Sequence, residues 1–177
     1  MRIMHLSTRL ILGGSQENTI LSCAGQSDDG HDVSLVYGPI EGPEGSMLPG
    51  VVEHGGIETI ESPNLVREIS PRRDLRCRRE LEELIREWRP DVVHTHSSKA
   101  GILGRAAAWK ARVPAVIHTI HGLPFHPYQS RWRNRAYIAM ERWAARRCHA
   151  IVTVADAMRD KALAAGIGRA DRYRTVR

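Results

Sequence analysis

The residues of this chain best placed to do chemistry lie in one stretch, Asp91-Val92-Val93-His94-Thr95-His96-Ser97-Ser98-Lys99-Ala100-Gly101. Pro90 breaks the chain, and residues 91–95 then read as a short buried β-branched strand. Ser97 or Ser98 can cap a following helix whose apolar positions are Ile102, Leu103, Ala106 and Ala107. A strand that stops where a helix starts marks the edge at which parallel α/β sheets bind ligands. His94 and His96, two apart on a strand, share a face. Lys99 falls in the first helical turn, where the helix dipole disfavours a cation. A nearby anion would explain it. His94-x-His96 could be half of a metal site, but no carboxylate-rich motif or H-E-x-x-H accompanies it, so no metal is expected. The expected arrangement is one histidine packed below the loop and the other facing the ligand.

Two further places carry candidates. Gly13-Gly14-Ser15-Gln16 follows the first strand pattern and opens a helix, where backbone N–H groups can meet a phosphate. The full G-x-G-x-x-G spacing is missing and no acidic residue closes the second strand, which argues against NAD. The pair also suits a plain strand–helix turn. His118, His121 and His126 surround a Gly-Pro-rich loop. His118 lies inside a strand and reads as structural. His121, just past that strand and beside Gly122, is a candidate polar contact to a substrate.

The elements that must position these residues alternate along the chain. Strand patterns occupy residues 2–7, 32–37, part of 51–60, 91–95, 114–119, 150–154 and 173–176. Helical patterns occupy 15–26, 74–88, 98–111, 129–147 and 157–165. In the first helix Ile20, Leu21 and Ala24 form the apolar stripe. In 74–88 it is Cys77, Leu81, Leu84, Ile85 and Trp88. In 129–147 the expected stripe is Trp132, Ala136, Ala139 or Met140, Trp143 and Ala144, opposite a face of six arginines. Residues 38–50, rich in Gly and Pro, read as a mobile loop. The order predicts a doubly wound, mostly parallel α/β sheet of Rossmann type.

Composition narrows the partners. At 177 residues, with 42% hydrophobic and 26% charged residues, the chain can bury one sizeable core. No run approaches a membrane span, and residues 1–6 enter a strand pattern without a signal-peptide core. Three scattered cysteines (Cys23, Cys77, Cys148) suggest a reducing compartment. Residues 1–98 hold ten Lys/Arg against sixteen Asp/Glu, while residues 99–177 hold sixteen against four. That asymmetry suggests a phosphorylated, lipid or nucleic-acid partner for the second half. No helix-turn-helix, RNA-recognition or zinc pattern supports nucleic acid.

In this order the motifs resemble the N-terminal domain of family 4 glycosyltransferases, which have the GT-B fold. The resemblance rests on Gly13-Gly14-Ser15-Gln16, Gly30-His31-Asp32-Val33, Asp91 to His96 with Ser98-Lys99-Ala100-Gly101, His118-Thr119-Ile120-His121-Gly122, and Ile151-Val152-Thr153-Val154 followed by Ala157 and Gly166-Ile167. It implies an acceptor-binding domain over 1–177, with a donor-binding domain beyond this chain, so that the chain alone would be inactive. It implies sugar transfer with retention from a nucleotide-sugar, which is a substrate, and no metal or other cofactor. By the same resemblance Gly13, Gly14 and Ser15 approach the donor diphosphate, and His121 is the catalytic contact to the transferred sugar. From its place past the strand, His121 would donate a hydrogen bond to a sugar hydroxyl or face the charge developing at the anomeric carbon. Gln16, His96, Ser97, Lys99, Gly122 and Arg135 are assigned to the acceptor side, although many members carry an acid where Gln16 stands. The acceptor is expected to be lipid-linked, phosphorylated or a saccharide, and the protein cytoplasmic, at the inner face of the plasma membrane against anionic lipid. The competing readings are a nucleotide-sugar epimerase of the same frame and a basic nucleic-acid-binding module.

Overall fold

A computed structural model describes residues 1–40 and 43–176. Seven strands form one sheet in the order β3-β2-β1-β4-β5-β6-β7. They are β1 (Arg2–Ser7), β2 (Asp32–Tyr37), β3 (Ile57–Glu61), β4 (Val92–His96), β5 (Ala115–Ile120), β6 (Ala150–Thr153) and β7 (Tyr173–Thr175). Every pairing is parallel. The helices between them are α1 (Gly14–Asp28), α2 (Leu48–His54), α3 (Pro71–Trp88), α4 (Ser98–Lys110), α5 (Arg131–Ala145) and α6 (Asp156–Ala164). The Rossmann-like class expected from the strand–helix alternation is the one observed.

The side-chain alternation of β1 divides the core. Met4 and Leu6 join one apolar cluster with Cys77, Leu81, Ile85, Val93, Ala100 and Ala107, under α3 and α4. His5, between them, must point to the opposite face. That face also holds the second cluster, with Cys23 of α1 and Val33, Leu35 and Tyr37 of β2. All three cysteines are buried free thiols, and burial pushes Cys23 up to about 12.

The short strand expected within 51–60 is β3, but a helix precedes it that the sequence pattern did not show: α2 runs from Leu48 with Pro49 in its first turn and ends at Gly55, whose φ of 73° favours glycine. Part of the loop expected at 38–50, residues 41–42, lies outside the described residues. In α5 most of the expected apolar stripe faces outward, with Trp132 71% and Trp143 41% exposed, and Ala144 is its buried member. The buried face is Glu141, Ala144 and Ala145. It turns inward because the Glu141 Oε2 accepts at 2.7 Å from Nη2 of Arg105, which is fully buried in α4. A buried arginine without that partner would be far more costly than two exposed tryptophans. Leu21, expected on the buried stripe of α1, is also exposed, while Thr19 and Cys23 are buried.

Candidate functional site

The C-terminal ends of β1, β4 and β5 open into a cleft of ≈ 420 Å³. Its lining comes from Thr8 and Arg9 after β1, Gln16 of α1, Arg67 and Ile69 before α3, and Ser97, Ser98 and Lys99 after β4. Ile102 and Leu103 of α4, Pro124, and Tyr137 and Met140 of α5 give it an apolar side. A recess of ≈ 10 Å³, about one water molecule in size, shares Ser97, Ser98 and Pro124 with the cleft and is bordered by His121 and Gly122.

The strand β4 enters its helix through a strained turn. Ser97 has φ 60° and ψ 159°, a region held almost exclusively by glycine. Its hydroxyl lies 2.7 Å from Thr8 Oγ1 and accepts the Thr8 N–H at 3.4 Å. Ser97 is at the N-cap position of α4, yet its side chain does not cap the helix. Thr8 does so from just past β1, its Oγ1 accepting the Ala100 N–H at 3.1 Å. The sequence cannot reveal this swap, because Thr8 and Ala100 meet only through the β1–β4 pairing.

The same pairing assembles four histidines. Strand register sets His5 beside His94, and His96 beside Thr119, two residues before His121. The His94 and His96 rings are 4.3 Å apart, confirming their shared face, and His5 joins them at 5.0 and 5.2 Å. His5 Nδ1 lies 2.9 Å from His96 Nε2, and His96 Nδ1 lies 3.1 Å from His121 Nε2. His94 Nε2 is 2.7 Å from the Thr119 hydroxyl. Burial is the first cause holding each of these rings below the ordinary imidazole range, at about 4 for His5 and well down for His94 and His96. Burial lowers His121 as well. The site is a set of neutral imidazoles, able to accept or donate but carrying no charge.

The candidates read from the sequence divide accordingly. His121 and Gly122 border the recess, and Gln16, Ser97 and Lys99 line the cleft. His96 does not face the cleft: it is 1% exposed and both ring nitrogens are occupied by other histidines. It was expected to touch the acceptor, and its place is behind the wall. Arg135 is exposed on α5 and is not among the cleft-lining residues. The anion that Lys99 asked for is Asp74 of α3, 2.5 Å from its ammonium. His118 is structural as expected, buried with Nδ1 2.9 Å from Thr95 Oγ1 and 3.1 Å from Thr95 O. At the glycine turn, a Cβ on Gly14 would meet nothing within 4 Å, and one on Gly13 would meet only the end of the Gln16 side chain. Gly13 has extended backbone, with φ 169° and ψ 152°, and Gly14 is the first residue of α1, so neither sits in the left-handed region that favours glycine. His5 was missed, because a single histidine in an apolar strand gives no signal until β4 is laid beside it.

The sequence model of the glycosyl transferase 4-like domain matches residues 13–177. The chain belongs to this family. It is 32% identical over 145 residues to the Escherichia coli UDP-Gal:alpha-D-GlcNAc-diphosphoundecaprenol alpha-1,3-galactosyltransferase, covering 82% of this chain and 36% of that protein. The chain thus spans about a third of the length of that relative. Among solved structures, a Rickettsia africae glycosyltransferase superposes with TM-score 0.69 at 17% identity, over 99% of this chain and 42% of that one. The UDP-GlcNAc 2-epimerase of Neisseria meningitidis, bound to UDP-GlcNAc, gives 0.67 at 16%, over 99% and 46%. MurG of Acinetobacter baumannii gives 0.63 at 10%, over 99% and 45%. At these identities the likeness is one of fold: this glycosyl transferase 4-like chain is a Rossmann-like half of a GT-B architecture.

Proposed function

We propose that this chain is the acceptor-binding half of a retaining glycosyltransferase, which moves a sugar from a nucleotide-sugar to a lipid-linked diphosphate sugar. The observation that carries this reading is the cleft at the strand ends, because it has two chemical sides. Arg67 gives it a cationic group, beside Arg9 and Lys99, which are paired with Glu44 and Asp74, while Ile69, Ile102, Leu103, Tyr137 and Met140 give it an apolar flank. A sugar diphosphate on a long hydrocarbon needs both. The acceptor named for the E. coli relative is of this kind.

Departure of a nucleotide diphosphate requires negative charge to be stabilised. The start of α1 at Gly13, Gly14 and Ser15 supplies backbone N–H groups and open space, and the donor-binding residues come from a second domain. His121 contacts a hydroxyl of the transferred sugar from the wall of the recess. The reaction uses no metal. The exposed Arg131, Arg133 and Arg135 with Trp132 hold the protein against anionic lipid at the cytoplasmic face of the membrane. No helix among the described residues is long and apolar enough to cross a membrane.

The test is a complete enzyme incubated with UDP-sugars and a polyprenyl-diphosphate sugar, with EDTA present. Sugar transfer with retained anomeric configuration is expected, together with vesicle binding that falls as salt rises. Interconversion of UDP-sugars without transfer to any acceptor would replace this reading with an epimerase.

A further inference from the structure

A row of polar groups runs across the α1 face of the sheet to the recess: Gln26, His5, His96, His121. Gln26 Oε1 is 2.8 Å from His5 Nε2. His5 Nδ1 is 2.9 Å from His96 Nε2, and His96 Nδ1 is 3.1 Å from His121 Nε2. A neutral imidazole has one N–H and one lone pair, so each contact fixes the next. Gln26 presents a carbonyl oxygen, which only accepts, and His5 therefore carries its proton on Nε2. His5 Nδ1 is then a lone pair, and His96 must meet it with Nε2–H. His96 Nδ1 is left as a lone pair, and His121 must meet it with Nε2–H. At the far end His121 has an unprotonated Nδ1.

We propose that Gln26 is a positioning residue which, through His5 and His96, holds His121 in its Nε2–H tautomer, so that Nδ1 accepts a hydrogen bond from a substrate hydroxyl. This replaces hydrogen-bond donation, one of the two roles expected of His121 from the sequence. An acceptor orients a hydroxyl by its proton and leaves the hydroxyl oxygen free, whereas a donor would occupy that oxygen. The tautomer follows from the geometry of this chain alone; its use on a sugar rests on the transferase reading.

The same rings invite a second interpretation, since one ligand nitrogen from each of His5, His94 and His96 all lie within 4.8 Å of one another. Two nitrogens on one zinc at about 2.0–2.1 Å in tetrahedral array stand roughly 3.3 Å apart. The 2.9 Å between His5 and His96 is a hydrogen-bond separation instead. The cluster also offers no carboxylate to balance a buried dication.

The experiment is two-bond ¹H–¹⁵N correlation on the chain labelled at its histidines, at pH 8, with peaks assigned by single substitutions. His5, His96 and His121 are expected as Nε2–H tautomers. His118, whose Nδ1 faces the Thr95 carbonyl, is expected as Nδ1–H and serves as the internal reference. Gln26→Leu should turn His121 from one tautomer into a mixture while leaving His118 unchanged. Gln26→Glu keeps an accepting oxygen and should restore the single Nε2–H form. If Gln26→Leu disturbs the His118 pattern as well, the wild-type spectrum and Gln26→Glu decide. A wild-type His121 protonated on Nδ1, or a His121 tautomer indifferent to Gln26→Leu in a folded protein, overturns the proposal. So does stoichiometric Zn²⁺ uptake that shifts His5, His94 and His96 together.

Discussion

The histidine wall and the glycine turn stand beside each other at the same sheet edge and are built in opposite ways. At the wall His5 and His96 are buried and have both ring nitrogens engaged. At the turn, Gly14 has room for a side chain and an ordinary backbone. The wall is rigid because neutral buried polar groups must satisfy one another. The turn is open: nothing in the surrounding fold fills the space beside Gly14. One region is fixed by its own hydrogen bonds, and the other keeps free space.

Acid should break the wall first. His5, His94, His96 and His118 are all held below the usual imidazole range, chiefly by burial. In the unfolded chain these rings take up protons near pH 6.5, while in the folded chain they resist until far lower, about 4 for His5. The unfolded state therefore binds more protons below about pH 6.5, and stability falls as pH falls through that window. Each ring contributes up to about 1.4 kcal/mol per pH unit, so four together reach on the order of 5 kcal/mol between pH 7.5 and 5.5. Urea melts at the two pH values measure it, and a pH-independent midpoint would contradict the buried neutral state of the cluster.

Behind the wall, Glu141→Leu strips Arg105 of its partner and should cost about 3–5 kcal/mol. Arg105→Met combined with Glu141→Leu should recover much of that loss. A single variant as stable as the wild type would show that the pair carries no such weight.

In the complete enzyme, His121→Ala is expected to lower kcat by roughly 100-fold with a normal melting point, as for the loss of one preorganised hydrogen-bonding group. His118→Ala should do the reverse, lowering the melting point first, because its ring bonds Thr95 inside the sheet. Steady-state rates at saturating donor, set beside thermal melts, separate the two.

Ser97 lies where wall and turn meet. Ser97→Ala keeps the strained backbone and loses the Thr8 bonds, whereas Ser97→Gly loses the bonds and the strain together. The glycine variant should therefore be the more stable of the two by about 1–3 kcal/mol, the cost of such a conformation. The opposite order in chemical denaturation would remove strain from the account.

The smallest change in stability is expected at the turn. Gly14→Ala should leave stability within about 1 kcal/mol, with a slight gain from the stiffer unfolded chain. Any loss of turnover in that folded variant then reports a ligand that needs the space.

Strand–helix alternation, the breakers Pro90 and Gly166, and the shared face of His94 and His96 are local properties: a few neighbouring dihedrals and a two-residue period carry them. These were legible in the order of residues, as was the family. Failures came where a distant residue decided. α5 turned Glu141 inward and left Trp132 outside because the buried Arg105, 36 positions away, has no other acidic partner among the described residues. Thr8 took the capping role expected of Ser97 or Ser98 because strand pairing brought it there. His96 changed from a ligand contact to a middle link because His5 arrived from β1 and His121 from beyond β5. Hydrophobic period and turn chemistry act over a few residues, and one chain can carry them unaided. Which hydrogen-bond donor meets which acceptor depends on non-local strand order, here β1 beside β4 beside β5, and it exists only once the sheet has closed.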